Sequence, residues 1–300
     1  MNASISHFSP QSKVKPSQQV DLSFEFFPAK TPRMERNLWR TMGQLELLNP
    51  AFFSMTYGAL GSERDHSLST VSSMVKEGRV PVAAHLTGVG HTEEELLALA
   101  QRFYGEGVRR LVALRGDADS ISGGVTDVVS MVENLLTVAD FDISVAAYPE
   151  VHPQALSPSD DLVHLKRKLD AGAKSAITQY FFDAEVFLRF RDAAEKAGIT
   201  QPIVPGILPV HDFDKVLLFS MRCGASVPKF MDGLFAGTTA GSIEQRKVGI
   251  DQATHLCEQL LKEGVDALHF YTLNQPNMSV EVARNLGLAD RNDLVVSKAA

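Results

Sequence analysis

The chain has 300 residues, 44% of them hydrophobic and 22% charged, with a formal net charge of −7. That is the balance of a soluble globular protein long enough for one α/β barrel, and its acidity argues against a nucleic-acid or anionic-membrane surface. No long apolar run predicts a membrane span, and Cys223 and Cys257 form no CxxC pair that would mark a metal or redox site.

Residues 1–19 are polar, contain two prolines and lack the apolar core of a secretory signal, so a flexible N-terminal arm is expected. Short β-rich runs follow: DLSFEFF (21–27), AFFSMTY (51–57), VPVAAHL (80–86), RRLVALR (109–115), DISVAAY (142–148), SAITQYF (175–181), PIVPGIL (202–208) and DALHFYT (266–272). Helix-like stretches lie between them. EEELLALAQRF (93–103) has helical spacing with Thr92 as its N-cap, and TDVVSMVENLLTVAD (126–140) is similar. Several of these stretches end in a glycine suited to a left-handed cap. Strand–helix alternation predicts parallel strands with crossover helices. Eight strands, the first seven about thirty residues apart, suggest an α/β fold of the (β/α)8 TIM-barrel type. The last gap is about twice as long, so extra helical material is expected before the last strand, within 210–264. A doubly wound open sheet is the alternative, although no GxGxxG follows the first strand. The barrel is expected over 20–292, with a C-terminal tail at 293–300. The cysteines read as buried free thiols, which fits a cytoplasmic protein.

In such a barrel the active site lies at the C-terminal ends of the strands. Polar residues at those ends are Glu25, Thr56, His85, Arg115, Asp117, Tyr148 and Gln179. Strand alternation adds a test. Leu22, Phe24 and Phe26 share one side of their strand, and Ser23 and Glu25 the other. Val82, Ala84 and Leu86 oppose His85, and Ile143, Val145 and Ala147 oppose Tyr148. With the bulky sides on the helices, Glu25, His85 and Tyr148 point inward near the mouth. A Glu between Phe24, Phe26 and Phe27 is expected to be partly desolvated, with a raised pKa suited to a general acid. A structural Glu paired with a basic neighbour is the alternative.

LRGD (114–117) sets Arg115 and Asp117 around Gly116, which suits a phosphate or a heteroaromatic ring as well as a plain surface turn. Asp161, His164 and Lys168 fall at i, i+3 and i+7 on one helical face, after a loop bearing His152. That face could hold a dinucleotide, or simply be solvated.

SFEFFPAKT (23–31), SMTYGA (54–59), AAHLT (83–87), VALRGD (112–117), DISVAAYPEVHP (142–153), LKRKLDAGAKSAITQYFFD (165–183), IVPGILPV (203–210) and LHFYTLN (268–274) occur in order along the chain. Together they resemble the methylenetetrahydrofolate reductase family in its short bacterial form, without the C-terminal regulatory module of the eukaryotic enzymes. The resemblance implies a β8α8 barrel with non-covalent FAD, a ping-pong reaction with NADH or NADPH as donor, and conversion of 5,10-methylenetetrahydrofolate to 5-methyltetrahydrofolate in one-carbon metabolism. It implies that Glu25 protonates the bridging amine, opening the five-membered ring to an iminium, and that Asp117 tunes the flavin and contacts the pterin. FAD contacts are implied for Thr56, Tyr57, Ala59, His85, Arg115, Gly116, Tyr148, His152, Ala155, Asp161, His164, Arg167 and Lys168. Gln179 and Phe219 match residues shared by folate and nicotinamide. The family is usually homo-oligomeric.

Three positions depart from the bacterial pattern. Lys215 stands in place of a folate-contacting Gln, Gln275 in place of an Arg, and His164 in place of an Asn. Losing the Arg removes a cation for the folate glutamate, for which Lys215 offers a replacement. A 5-methyltetrahydrofolate oxidase would use the same residues, and a non-catalytic folate- or flavin-binding barrel would have lost Glu25.

Overall fold

A computed structural model of the protein describes residues 19–57, 64–116 and 124–289. The expected arm up to residue 18, the tail at 293–300, Ala59 and Asp117 lie outside the described residues.

The elements are β1 (Asp21–Phe26), α1 (Pro32–Glu46), β2 (Phe52–Met55), α2 (Arg64–Glu77), β3 (Val82–Thr87), α3 (Glu93–Glu106), β4 (Arg110–Leu114) and α4 (Val128–Val138). There follow β5 (Asp142–Ala147), α5 (Pro158–Asp170), β6 (Ser175–Thr178), α6 (Ala184–Lys196), β7 (Ile203–Val204), β8 (Gly206–Ile207), α7 (Phe213–Cys223), α8 (Lys229–Phe235), α9 (Ile243–Lys262), β9 (Ala267–Tyr271) and α10 (Pro276–Asn285). The strand order is β7-β6-β5-β4-β3-β2-β1-β9-β8, with every pairing between strands parallel. β7 and β8 are halves of one strand interrupted at Pro205, which has no N–H to give the ladder. β7 pairs with β6 and β8 with β9, so this split strand closes the barrel. The extra helical material is there as expected: α7, α8 and α9 fill the chain between β8 and β9.

Local chemistry accounts for the helix ends. Thr92 caps α3 in a reciprocal capping box with Glu95, and Gly107 ends that helix at φ +102°, where a Cβ is disfavoured. α4 is capped by Asp127, whose side chain accepts from the Val129 amide.

The strand parity read from the sequence holds. Leu22, Phe24, Phe26, Ala84, Leu86, Ile143 and Val145 belong to the main core between sheet and helices. A separate small cluster of Ala83, Val112 and Ile177 fills the barrel interior. Cys257 is buried in the main core, whereas Cys223 on α7 is half-buried and lies against the Tyr180 hydroxyl. Among the described residues no helix is long and apolar enough to cross a membrane.

Candidate active site

β1 brings Glu25 to the mouth with Ser54 of β2 on one flank and Tyr271 of β9 on the other. The Glu25 side chain keeps 21% of its surface exposed, and its Oε2 lies 3.5 Å from Nε2 of His85 and 3.7 Å from Nε2 of His269. Both imidazoles are buried. Neither Nε2, nor Oγ of Ser54, has a hydrogen-bond partner among the described residues. The aromatic desolvation expected for Glu25 is not what surrounds it. The alternation that turns Glu25 inward sends Phe24 and Phe26 into the outer core, where Phe24 stacks on Phe270 and Phe26 meets Phe53 edge-on. The neighbours of Glu25 are polar.

Burial holds the His85 imidazole below its ordinary pKa; the nearby Glu25 charge opposes that shift and His269 adds to it. His269 is fixed through Nδ1, 2.8 Å from the Ser23 hydroxyl. The Tyr271 phenol donates to the Thr178 carbonyl at 2.7 Å. Burial, with the Glu25 charge second, pushes its pKa well up, so it stays a neutral donor.

A second polar group occupies the loops after β2 to β5 and one face of α5. Oγ1 of Thr56 is buried without a hydrogen-bond partner among the described residues. The Tyr57 hydroxyl meets Nε2 of His91 at 3.0 Å. Arg115 donates to Gln154, and Gly116 turns at φ +92°. Tyr148 packs edge-on against His152 with ring centres 4.5 Å apart. The His152 amide donates to Asp161 at 2.8 Å, and the Ala155 amide donates to the His152 carbonyl. Lys168 is buried, donates to the Ala146 carbonyl at 2.6 Å, and has its pKa lowered to about 8 by that burial. His152 and His164 are also held below the ordinary histidine range, first by desolvation; Arg115 and Lys168 add to the effect on His152, Lys168 and Arg167 to that on His164. The α5 face is therefore packed against the loop, with Lys168 buried beneath it, and is not a solvated stripe. Between Tyr148 and His152, Val151 holds φ +113°, a strained conformation for a β-branched residue.

The remaining predicted positions are spread around the mouth. Gln179 follows β6, and its Oε1 accepts from the Tyr180 amide at 3.0 Å. Lys215 and Phe219 lie on α7. Lys215 is not a spare cation: its Nζ lies 2.8 Å from the Asp212 carboxylate. Gln275 precedes α10, after the left-handed residues Leu273 and Asn274. His269, Tyr271 and Ser54 were not singled out from the sequence. Parity would have found two of them, because Leu268 and Phe270 are outward core residues and the alternate positions face inward.

A family model described as methylenetetrahydrofolate reductase matches residues 11–287. The chain belongs to that family. The 5,10-methylenetetrahydrofolate reductases of Salmonella typhimurium and Escherichia coli are each 43% identical to it over 282 residues, covering 93% of this chain and 94% of theirs. Among solved structures, an uncharacterized protein from Clostridium thermocellum that binds two copies of 5-methyl-5,6,7,8-tetrahydrofolic acid superposes with a TM-score of 0.67 at 16% identity. It covers 92% of this chain and 97% of its own, a likeness of fold. Membership in the methylenetetrahydrofolate reductase family makes the chain an oxidoreductase, and the reaction it shares with the family is reduction of methylenetetrahydrofolate.

Proposed function

We propose that the chain converts 5,10-methylenetetrahydrofolate to 5-methyltetrahydrofolate with non-covalent FAD and a reduced nicotinamide, Glu25 acting as general acid. The observation that carries this is the partly exposed Glu25 carboxylate at the mouth, backed by two buried imidazole edges. A carboxyl group there can hold a proton and present it to the bridging amine of the folate. Protonation opens the five-membered ring to an iminium, an electrophile that accepts hydride. General acids of this kind contribute about 10²–10⁴-fold in rate. His85, kept below its ordinary pKa by burial, sets an imidazole edge beside the Glu25 carboxyl group.

When bound, FAD supplies a two-electron carrier between nicotinamide and folate. The residues present suit it. The unpartnered Thr56 hydroxyl and the buried Lys168 ammonium are groups that a dinucleotide's polar atoms and pyrophosphate would satisfy. In this proposal Tyr57, His85, Arg115, Gly116, Tyr148, His152, Ala155, Asp161, His164 and Arg167 complete the FAD site with Ala59 and Asp117. Gln179 and Phe219 serve folate and nicotinamide in turn, so one substrate leaves before the other binds. In this proposal the enzyme works in the cytoplasm as a homo-oligomer.

The test is direct. Purified protein is expected to show a flavin spectrum and to oxidise NADH or NADPH in step with 5-methyltetrahydrofolate formation. Protein that is colourless and takes up no FAD would overturn the proposal.

A further inference from the structure

The loop after β5 and the turn after α7 meet at one half-buried carboxylate. Oε2 of Glu150 accepts from the Ser226 amide at 2.7 Å, and Oε1 accepts from the Ser226 hydroxyl. Burial pushes the Glu150 pKa up, and the Ser226 amide opposes that shift. Pro153, on the same loop, meets the same turn. Gly224 ends α7 at φ +74°, and a Cβ there would lie 2.6 Å from Cγ of Pro153. The turn approaches the loop more closely than any side chain at 224 would permit.

The two sides of this junction are held differently. The loop is fixed on its own account: the His152 amide donates to Asp161 of α5 at 2.8 Å, and the Ala155 amide donates to the His152 carbonyl. Val151 keeps φ +113° between Glu150 and His152, a strain that persists only where both flanks are tied. Gly224 and Ser226 are exposed, on the turn that leads from α7 to α8. At the far end of α7 the Phe213 amide donates to Oε1 of Gln245 at 3.1 Å. In its last turn the Ser220 hydroxyl lies 3.1 Å from that of Tyr180. Phe219, half-buried, is the residue before that contact. Desolvating a carboxylate costs stability, and both hydrogen bonds that Glu150 receives here come from the turn beyond α7.

We propose that Glu150 is a positioning residue: from the loop after β5 it holds the C-terminal end of α7 in place, and so sets where Phe219 stands at the mouth. It acts through α7 and not on either substrate. The proposal rests on the reading of Phe219 given above, in which one aromatic side chain serves nicotinamide and folate in turn. Its signature follows from that sharing. Releasing the turn weakens both substrates by the same factor, while Glu25 and the loop carrying Tyr148 and His152 stay where they are. Losing binding that is common to ground state and transition state raises KM and leaves kcat alone. The factor is about fivefold, the lower end of couplings between separate sites.

The experiment measures KM and kcat at saturating FAD for methylenetetrahydrofolate and for whichever of NADH and NADPH the enzyme oxidises. In Glu150→Ala both KM values should rise about fivefold, with kcat and the Kd of FAD close to the parent values. Glu150→Gln, which can still reach the Ser226 amide and hydroxyl, should restore most of the difference. Ser226→Ala, which keeps the amide and loses the hydroxyl, should fall between. Amide hydrogen exchange over 220–226 should quicken in Glu150→Ala and not in Glu150→Gln. Unchanged KM values or unchanged exchange in Glu150→Ala, a rise for one substrate alone, or an FAD Kd raised as far as the KM values would overturn the proposal while leaving the reaction intact. If Glu150→Ala does not fold, Ser226→Ala decides, and parent KM values for both substrates in that variant would overturn the proposal as well. An unmodified enzyme that turns over no folate would remove the reaction, and the role of Phe219 with it.

Discussion

Gly249 lies inside α9, where an alanine would ordinarily help. Relieving the backbone entropy of a mid-helix glycine is worth about 1 kcal/mol. Here a Cβ would overlap the backbone carbonyl of Val210 and lie 3.0 Å from Cε of Met278. A carbonyl in the chain just after β8 cannot rotate away as a side-chain tip can, so α9 must move off the barrel. That disturbs the contacts of Ala253, Leu256, Cys257, Leu260 and Leu261, all buried on α9. Overpacking of this kind costs about 3 kcal/mol at its upper range, leaving a net loss of about 2 kcal/mol for Gly249→Ala. At roughly 2–4 °C per kcal/mol, the melting temperature falls by about 4–8 °C. The matched control is Gly105→Ala, also helical, exposed on α3 with nothing within 4 Å of the added Cβ. It should gain about 0.5–1 kcal/mol. Urea and thermal unfolding followed by circular dichroism measure both. If Gly249→Ala matches or exceeds the parent, the close approach of α9 to the β8 exit is wrong, and with it the support of the loop that leads to Lys215 and Phe219.

The remaining predictions concern charge. Lys168, at a pKa of about 8, loses its proton above that pH; FAD affinity should therefore fall between pH 7 and 9 in the parent enzyme and be weak but flat in Lys168→Met, by flavin-fluorescence titration. Persistence of the same pH dependence in the variant would show that another group is responsible. His85 is buried with a lowered pKa, so below the unfolded value near 6.5 the unfolded chain binds more protons than the folded one. Its contribution to stability is complete above about pH 6.5 and is lost as pH falls towards the folded pKa, with a slope of at most about 1.4 kcal/mol per pH unit. Urea midpoints at pH 7.5 and 5.5 should differ less in His85→Gln than in the parent, and an undiminished difference would contradict this.

Much of the site was legible because strand alternation is a strict geometric rule. Opposing bulky and polar positions turned Glu25 and His85 to one interior, where they now lie 3.5 Å apart. The same rule applied to ALHFY would have supplied His269 and Tyr271. It also shows why the aromatic environment expected for Glu25 was wrong: neighbours in sequence along a strand are on opposite faces. PIVPGIL read as one strand, and the break at Pro205 followed from a missing amide that only the pairing to β6 and β9 makes visible. Lys215 and Asp212, three residues apart at the start of α7, form a local pair that its spacing could have revealed. The contact between α1 and residues 273–275, brought from the far end of the chain to line one groove with it, had no signal in the sequence.

The central claim is that Glu25 gives the proton that makes the folate reducible. Glu25→Gln keeps the shape of the side chain and removes the acid. Stopped-flow spectroscopy under anaerobic conditions can follow the two half-reactions separately at the flavin band. The account predicts that nicotinamide still reduces the flavin in Glu25→Gln at close to the parent rate, while reoxidation by methylenetetrahydrofolate slows by about 10²–10⁴-fold. Reoxidation by the folate at the parent rate would contradict it.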